Sequence, residues 1–395
     1  MSEESIVLVS AKRTPMGSFQ GDLSSLKATE LGSIVVKKNL EETKLNSEEV
    51  DEVIMGCVLP AGLGQAPARQ VSIGAGIPVT VGATTINKMC GSGMKSIMMG
   101  YDSIASETNK IVIAGGIESM SNAPYILSKV RKGLRMGHDQ IKDHMFLDGL
   151  EDAYEEGKLM GSFAEDTAEY YQFSREQQDN FSIESLQKAK KANEEGAFNE
   201  EIVEVSVLSK KGTKIINKDE QPFKANIEKI PYLKPAFRKN GTVTAANSSS
   251  ISDGASTVIL MKESTADKKG IKPLARIVAH ATNSHEPNWF TTAPIGAISK
   301  VLEKSGWKKT DVDLLEVNEA FAVVPMAVMK ELSITKDILN INGGACALGH
   351  PVGASGSRIV STLINNLKSK NLKKGIASLC IGGGEATAMS LELID

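Results

Sequence analysis

Short buried strands that alternate with amphipathic helical segments constrain this chain most strongly. Runs rich in β-branched residues predict strands at Ser5 to Val9, Val53 to Val58, Lys110 to Ala114, Leu314 to Val317 and Ile376 to Cys380. Between them, Leu31, Ile34 and Val35 share one helical face, as do Met94, Ile97, Met98 and Tyr101. This alternation predicts an α/β fold with largely parallel sheets.

The length and internal similarity of the chain predict a duplicated architecture. A chain of 395 residues exceeds what one hydrophobic core usually serves. Two segments resemble each other, because Ile111 to Ser119 and Ala377 to Ala386 are both strands that run into glycines. The stretch from about 121 to 242 has charge-rich helical runs, such as Arg175 to Asn193, and reads as an insertion. We therefore predict an N-terminal domain at 1–271, which contains the insertion, and a C-terminal domain at 272–395.

Charge and cysteine usage exclude several classes of protein. The formal net charge is -3 with acidic and basic residues mixed, so neither a nucleic-acid partner nor a membrane surface is expected. No apolar run approaches membrane-spanning length, and the acidic start does not resemble a signal peptide, so a reducing cytoplasm is expected. The four cysteines are far apart and lack the spacing of a zinc site, so no metal is expected.

The first segment with chemistry surrounds Cys90. The sequence Asn87-Lys-Met-Cys90-Gly-Ser-Gly precedes an amphipathic helix. A sulfur at a helix N-terminus is favoured as a thiolate, so the pattern predicts a lowered pKa and a nucleophile. The segment fits a buried structural cysteine at a turn equally well.

A second glycine-rich segment, from Gly343 to Arg358, contains His350. Its glycine count resembles a phosphate-binding loop, but His350 stands where that loop needs a lysine, which excludes a nucleoside-triphosphate site. A histidine between Gly349 and Pro351 has few apolar sequence neighbours. This favours a general base over a packed core histidine.

Two further segments follow predicted strands. Cys380 ends a strand before three glycines, whose N–H groups suit an oxyanion hole, although a buried core cysteine is the commoner reading. Asn318 follows the strand that ends at Val317 and can orient a water or donate to an oxyanion. Helix capping is the usual role of an asparagine at such a place.

Together, and in this order, the four segments resemble the thiolase family across nearly the whole chain. Three further segments share the resemblance: Arg13 to Gly21, Asn247 to Ala255 and Glu118 to Met120. The resemblance implies two similar five-stranded α/β domains packed face to face, with an inserted loop domain that covers coenzyme A. It also implies condensation of two acetyl-CoA to acetoacetyl-CoA and CoA, the reverse thiolysis, and a homo-oligomer, either dimer or tetramer. CoA is then substrate and product, and no cofactor is expected.

The resemblance also implies catalytic roles. Cys90 attacks the acyl-CoA carbonyl, and His350 takes its proton. Cys380 exchanges the α-proton of the second acetyl-CoA. His350 and a water held by Asn318 bind the enolate oxygen, and the N–H groups of Cys90 and Gly382 bind the tetrahedral oxyanion.

Residues implied to bind the substrate are Leu159, Met160, Phe237, Ala245, Ser249, Phe290 and Phe321. Three positions depart from the biosynthetic acetoacetyl-CoA thiolases. Leu159 replaces a histidine beside the pantetheine, Phe290 replaces a methionine near the acyl group, and Phe223 replaces an arginine at the adenine. The bulk of Phe290 predicts a tight acyl pocket and a preference for acetoacetyl-CoA.

Several alternatives stay open. A 3-ketoacyl-CoA thiolase of fatty-acid degradation shares every catalytic residue and differs in acyl pocket size. A noncatalytic acyl-CoA or lipid-binding protein keeps the fold without needing those residues. Asn318 and Cys380 together argue against a decarboxylating ketoacyl synthase. Cys57 and Cys346 are predicted to be structural, and the basic cluster Lys129, Arg131, Lys132 and Arg135 fits a CoA phosphate contact, a subunit contact or a solvated face.

Overall fold

The computed structural model of the chain describes residues 4–210 and 212–394. Residues 1–3, 211 and 395, which include both outer ends of the predicted domains, lie outside the described part. The strands are β1 (Ile6–Arg13), β2 (Gly17–Ser18), β3 (Glu52–Gly56), β4 (Gly82–Ile86), β5 (Ile111–Ser119), β6 (Tyr125–Ile126), β7 (Lys142–Asp143), β8 (Val205–Ser209), β9 (Gly212–Ile216), β10 (Ser252–Lys262), β11 (Ala275–Ser284), β12 (Leu314–Val317), β13 (Lys374–Ile381) and β14 (Glu385–Leu393).

The helices are α1 (Ala28–Thr43), α2 (Pro67–Gly74), α3 (Ser92–Ala105), α4 (Met160–Tyr171), α5 (Arg175–Glu194), α6 (Gln221–Lys224), α7 (Glu263–Lys269), α8 (Ala293–Ser305), α9 (Val323–Leu332), α10 (Ala345–Leu348) and α11 (Ser355–Lys370). Every predicted strand overlaps one of these strands, with ends that differ by up to five residues, and both predicted helical faces lie within α1 and α3. The strand prediction at Leu314 to Val317 matches β12 residue for residue. In the described part, no helix is long and apolar enough to cross a membrane.

One continuous sheet contains both halves of the chain, in the order β12-β13-β14-β11-β1-β10-β5-β3-β4. The order β4-β3-β5-β10-β1 in the first half is repeated by β12-β13-β14-β11 in the second. The fifth position of the second half is filled by an isolated bridge between Leu315 and Leu339, so that half has four strands rather than the five implied. The halves join edge to edge where Val7 pairs with Arg276 and Leu8 with Ala275.

The prediction of largely parallel sheets is wrong. Among the strands of the described residues, the pairs β3–β4, β3–β5 and β12–β13 are parallel, and the other pairs of the large sheet are antiparallel. The reason is that β5 and β13 are each paired with a returning strand, β10 and β14. The turn between β13 and β14 contains Gly383 and Gly384 with φ of 92° and 87°, a backbone that glycine adopts readily.

Helices α3 and α11 lie between the two halves and hold the active-site loops. They share a buried apolar core with residues of β1, β5, β10, β13 and β14. Two other cores cover the outer faces, one with α1 and α2 on the first half, the other with α8 and α9 on the second. The resulting helix and sheet layers bring the N-terminal ends of α3 and α11 together, because Gly93 has no space for a Cβ beside Gly353 and Ser357.

The insertion between β5 and β10 contains α4 to α6 and is anchored by buried charges. Arg13 of β1 donates from Nε to Glu201 at 2.5 Å and from Nη1 to Asp219 at 2.6 Å, and all three side chains are fully buried. A buried ion pair is tolerated only when its remaining hydrogen bonds are satisfied, and the second Asp219 oxygen accepts from Nη2 at 3.0 Å. The insertion is therefore fixed to the core rather than loosely appended.

Candidate active site

Cys90 lies on a tight turn between β4 and α3. Met89 has φ of 45°, a left-handed conformation that costs energy for a residue with a side chain. The Ser92 hydroxyl accepts from Lys88 N at 2.8 Å and donates to Met89 O at 2.7 Å, which fixes the turn. A Cβ on Gly91 would lie 2.3 Å from Ile381, so the turn packs directly on the end of β13. The turn thereby fixes the position of the half-buried thiol.

The predicted lowering of the Cys90 pKa is wrong. Burial raises the pKa of Cys90 to about 11, and the carboxyl of Glu118 raises it further. The backbone N–H groups of Gly382 and of Cys90 itself act in the opposite direction by hydrogen bonding to the sulfur. Desolvation outweighs these donors. Cys90 is therefore a thiol in the free protein and needs a base for attack.

His350 is held as a neutral imidazole with one free ring nitrogen. Its Nδ1 lies 2.5 Å from Ser355 Oγ, and that hydroxyl donates its own proton to Pro351 O at 3.0 Å. Since the hydroxyl proton is committed, the hydrogen-bond network assigns the ring proton to Nδ1. Nε2 is buried and has no partner in the described part of the protein. Its lone pair is available to take a proton.

The electrostatic surroundings keep His350 uncharged. Burial lowers the pKa of His350 to about 3, and the positive charge of Arg358 lowers it as well. The histidine therefore stays neutral through the physiological pH range and can serve as a base.

Cys380 and Asn318 are brought together by the parallel pair β12 and β13. Asn318 follows β12 and donates its backbone N–H to Ser378 O at 3.0 Å. Its Nδ2 is buried without a partner in the described residues, whereas Oδ1 lies 3.5 Å from Arg358 Nη2. Cys380 is fully buried, and burial raises the pKa of its thiol well above the ordinary value, with a further contribution from Cys90. The two thiols therefore share one site.

The predicted acyl-pocket residues form one aromatic cluster beside this site. Ring centroids of Phe321 lie 6.0 Å from Phe237 and 6.4 Å from Phe290. Phe290 is 2% exposed and also meets Phe163 edge to face at 6.3 Å. Met160 joins the cluster to the catalytic turn, because a Cβ on Gly382 would lie 3.3 Å from its sulfur.

The remaining predicted substrate residues lie at more open positions. Leu159 and Ser249 are half-buried, and Ser249 donates its backbone N–H to Ala320 O at 2.9 Å. Ala245 is exposed. Phe223 is 43% exposed on α6, where Lys218 Nζ lies 6.0 Å from its ring. The structure thus brings Cys90, Cys380 and Gly382 together and groups Phe237, Phe290 and Phe321 in one cluster, whereas Phe223 lies exposed on its helix with no comparable arrangement among the described residues around it.

Two residues of the site were missed by sequence reasoning. Ser355 orients His350, and Glu118 joins the two halves. The Glu118 carboxyl accepts backbone N–H groups of Val58 at 3.1 Å, Leu59 at 3.1 Å and Gly353 at 2.8 Å. Burial raises the pKa of Glu118 to about 7. Nothing local in the sequence indicates partners 60 and 235 positions away, whereas the spacing of five between His350 and Ser355 was a usable signal.

Metal binding has no support in the described ranges. No group of three or more His, Cys, Asp or Glu side chains within residues 4–210 and 212–394 is arranged to hold an ion.

Comparison with known proteins identifies the family. The family model for the thiolase N-terminal domain matches residues 6–264, and that for the thiolase C-terminal domain matches residues 271–393. A probable acetyl-CoA acetyltransferase of Dictyostelium discoideum is 50% identical over 98% of this chain and 94% of its own. The acetyl-CoA acetyltransferase of Allochromatium vinosum is 47% identical over 98% and 99%.

Solved structures agree in fold over the full length. The acetyl-CoA acetyltransferase of Bacillus anthracis is 40% identical, covers 99% of each chain and superposes with a TM-score of 0.96. The Acat5 thiolase of Ascaris suum in complex with coenzyme A is 43% identical, covers 99% of this chain and 100% of its own, and gives 0.94. The predictions of a thiolase fold and of an acyltransferase are confirmed, and the chain belongs to the thiolase family.

Proposed function

We propose that the protein is an acetyl-CoA C-acetyltransferase that condenses two acetyl-CoA to acetoacetyl-CoA and CoA, and catalyses the reverse thiolysis, through an acyl group on Cys90. The observation that carries this function is the unpaired Nε2 of buried, neutral His350 in a site with two thiols. The names of the full-length relatives support the acetyl-CoA substrate.

In the first half-reaction, the acetyl group moves from CoA to the enzyme. His350 Nε2 takes the Cys90 proton as the sulfur attacks the thioester carbonyl, and returns it to the departing CoA sulfur. The N–H groups of Cys90 and Gly382 already point at the sulfur, so the oxyanion formed on the attacked carbon lies within their reach. Exchange of thioester for thioester keeps the intermediate reactive.

In the second half-reaction, the enzyme forms the carbon–carbon bond. Cys380 gives its proton to His350 Nε2, and the resulting thiolate removes the α-proton of a second acetyl-CoA. The enolate attacks the acetyl carbonyl on Cys90, and the carbon–sulfur bond to Cys90 then breaks. The departing Cys90 sulfur takes the proton from His350, so both cysteines end as thiols. The buried Nδ2 of Asn318 is a free donor for a water that, with the now protonated Nε2 of His350, stabilises the enolate oxygen. In cleavage Cys380 returns the proton to carbon, and its raised pKa favours the protonated thiol that cleavage needs.

CoA-dependent cleavage of acetoacetyl-CoA tests this function. We expect the natural protein to cleave acetoacetyl-CoA and Cys90→Ser to lose the activity, because a hydroxyl in this neutral site is far less nucleophilic than a thiol. Cys346→Ser is the matched control. Its sulfur contacts Glu319 O at 3.5 Å and has no role in the mechanism, so the variant should retain activity. Absence of cleavage in the natural protein, with acyl-CoA bound, would favour a noncatalytic acyl-CoA-binding protein.

The acyl pocket supports short substrates. Phe290 is enclosed between Phe163 and Phe321, so these neighbours keep its ring from moving aside for a longer acyl chain. We expect faster thiolysis of four-carbon than of ten-carbon 3-ketoacyl-CoA. A faster ten-carbon rate would instead assign the protein to fatty-acid degradation. Phe290→Met should raise the ten-carbon rate relative to the four-carbon rate.

Binding of CoA and self-association complete the proposed function. Leu159, Met160 and Ser249 are the proposed contacts of the pantetheine arm, with Phe237 and Phe321 beside it. The strand β4 lies at the edge of the sheet with β3 as its neighbour, and a strand edge of this kind pairs readily with a second chain. We expect a cytoplasmic homodimer or homotetramer, which light scattering after size-exclusion chromatography would test.

A further inference from the structure

The side chain of Arg358 is a buried charge that lowers the pKa of His350, but the proposed mechanism gives its hydrogen bonds no task. It lies on α11 and is 1% exposed. Its Nη2 is 3.5 Å from Asn318 Oδ1, whereas Nε and Nη1 are buried without a partner in the described part of the protein. Burying a charge with so few hydrogen bonds costs free energy, so we expect Arg358 to have a function that offsets this cost.

The acidic groups around Arg358 are engaged elsewhere. Glu201 and Asp219 bind Arg13 directly, and Glu316 accepts from Asn366 at 2.9 Å. Burial raises the pKa of Glu316 to about 8, despite the opposing effect of Arg358. In the residues that the structure describes, no acidic oxygen lies within 4.0 Å of the Arg358 guanidinium. Its directed contact to Asn318 is therefore not a by-product of an ion pair.

An asparagine amide has two orientations that differ by exchange of its oxygen and nitrogen. A guanidinium has five donors and no acceptor, so it can hydrogen-bond only to an amide whose oxygen is turned towards it. With Oδ1 held by Arg358, Nδ2 must point the other way, which is where it is found unpaired. The flipped amide would take one hydrogen of the bridging water, whereas donation from Nδ2 leaves both hydrogens of the water free and polarises it towards the enolate oxygen.

We propose that Arg358 is a positioning residue for enolate formation, because it holds the Asn318 amide with its nitrogen directed at the water that binds the enolate oxygen. This role rests on the proposed function. It separates the two half-reactions: transfer of acetyl to Cys90 uses the N–H groups of Cys90 and Gly382, whereas the carbon–carbon step uses Asn318. Loss of Arg358 should therefore slow the second much more than the first.

The test measures both half-reactions in the same preparations of full-length protein. Exchange of labelled CoA into acetyl-CoA reports acetyl transfer, and exchange of the α-protons of acetyl-CoA with deuterated water reports enolate formation. In Arg358→Gln we expect proton exchange to fall about tenfold or more, the effect of losing a hydrogen bond from a charged donor, with a much smaller change in CoA exchange. Lys368→Gln, on the exposed end of the same helix, should leave both rates unchanged.

A double variant isolates the path through Asn318. If Arg358 acts on enolate formation by holding this amide, Arg358→Gln should slow proton exchange little or not at all in an Asn318→Ala background. Equal losses in CoA exchange and proton exchange, or additive losses in the double variant, would overturn the proposal. If the natural protein performs neither exchange, the proposed function itself fails.

Asn318→Asp provides a second test should Arg358→Gln fail to fold. A carboxylate at this position meets Arg358 as an ion pair, so the variant should keep its melting temperature while losing proton exchange and retaining CoA exchange. A large drop in melting temperature, as expected for an unpaired buried carboxylate, would show that Arg358 does not hold this side chain.

Discussion

Replacing Ser355 by alanine should slow catalysis by removing the acceptor that fixes the His350 tautomer. In the native site the Nδ1–H of His350 donates to Ser355 Oγ at 2.5 Å, and Nε2 keeps its lone pair. Without the hydroxyl, the buried Nδ1–H has no partner in the described surroundings. An unsatisfied buried donor costs about 1–3 kcal/mol, so the tautomer with the base at Nε2 loses the preference that Ser355 gives it.

The size of the effect follows from the loss of this hydrogen bond. When Nε2 takes the Cys90 proton the ring becomes cationic, and the bond from Nδ1–H to Ser355 Oγ then has a charged donor worth about 1.5–3 kcal/mol, so its loss slows proton transfer by about 10- to 150-fold. The variant should show a corresponding loss of kcat/KM in acetoacetyl-CoA cleavage, measured by following the decrease of acetoacetyl-CoA.

Ser357→Ala is the matched control for this variant. Ser357 is fully buried on the same helix, and its hydroxyl donates to Ser256 O at 2.8 Å rather than to His350. Both variants should lose about 1 kcal/mol of unfolding free energy, but only Ser355→Ala should lose activity. Full activity in Ser355→Ala, or an equal loss in Ser357→Ala, would refute the tautomer assignment.

Three other perturbations test separate parts of the site. Cys380→Ala should abolish condensation and cleavage while acetyl transfer to Cys90 survives, as CoA exchange would show; loss of both points to misfolding. The low pKa of His350 predicts that acetyl transfer shows no titration of the base near pH 6.5, and a step there would contradict a buried neutral histidine. By the same shift the unfolded state binds the extra proton, so His350 contributes a loss of stability as pH falls from about 6.5 towards 3. Glu118→Gln should cost about 1–3 kcal/mol in urea unfolding, because its amide group would face backbone donors; an unchanged midpoint would exclude this bracing role.

Most elements of the fold were accessible from the sequence because their signals are local. Residue type and spacing predict the strand at Leu314 to Val317 and the helix after Cys90. Strand direction was not accessible, because β5 pairs with β10 across an insertion of more than a hundred residues. The three glycines after Ile381 were, however, a signal for the hairpin between β13 and β14.

The sequence predicted which residues form the site better than it predicted their pKa values. The sequence motifs predicted Cys90, His350, Asn318 and Cys380 as members of the site. The pKa of Cys90, however, depends on how much water the fold excludes, and the sequence segment around Cys90 does not indicate its burial. The supporting role of Glu118 was not predicted for a related reason. Glu118 acts through partners that only the folded chain brings within hydrogen-bond distance.

The central claim is that Cys90 carries the acyl group, and mass spectrometry of the acid-quenched enzyme after brief exposure to acetyl-CoA tests it most directly. We predict one acetyl group per chain, on the peptide that contains Cys90, and its release on addition of CoA. An active enzyme that carries its acetyl group on another residue, or carries none, would contradict the mechanism.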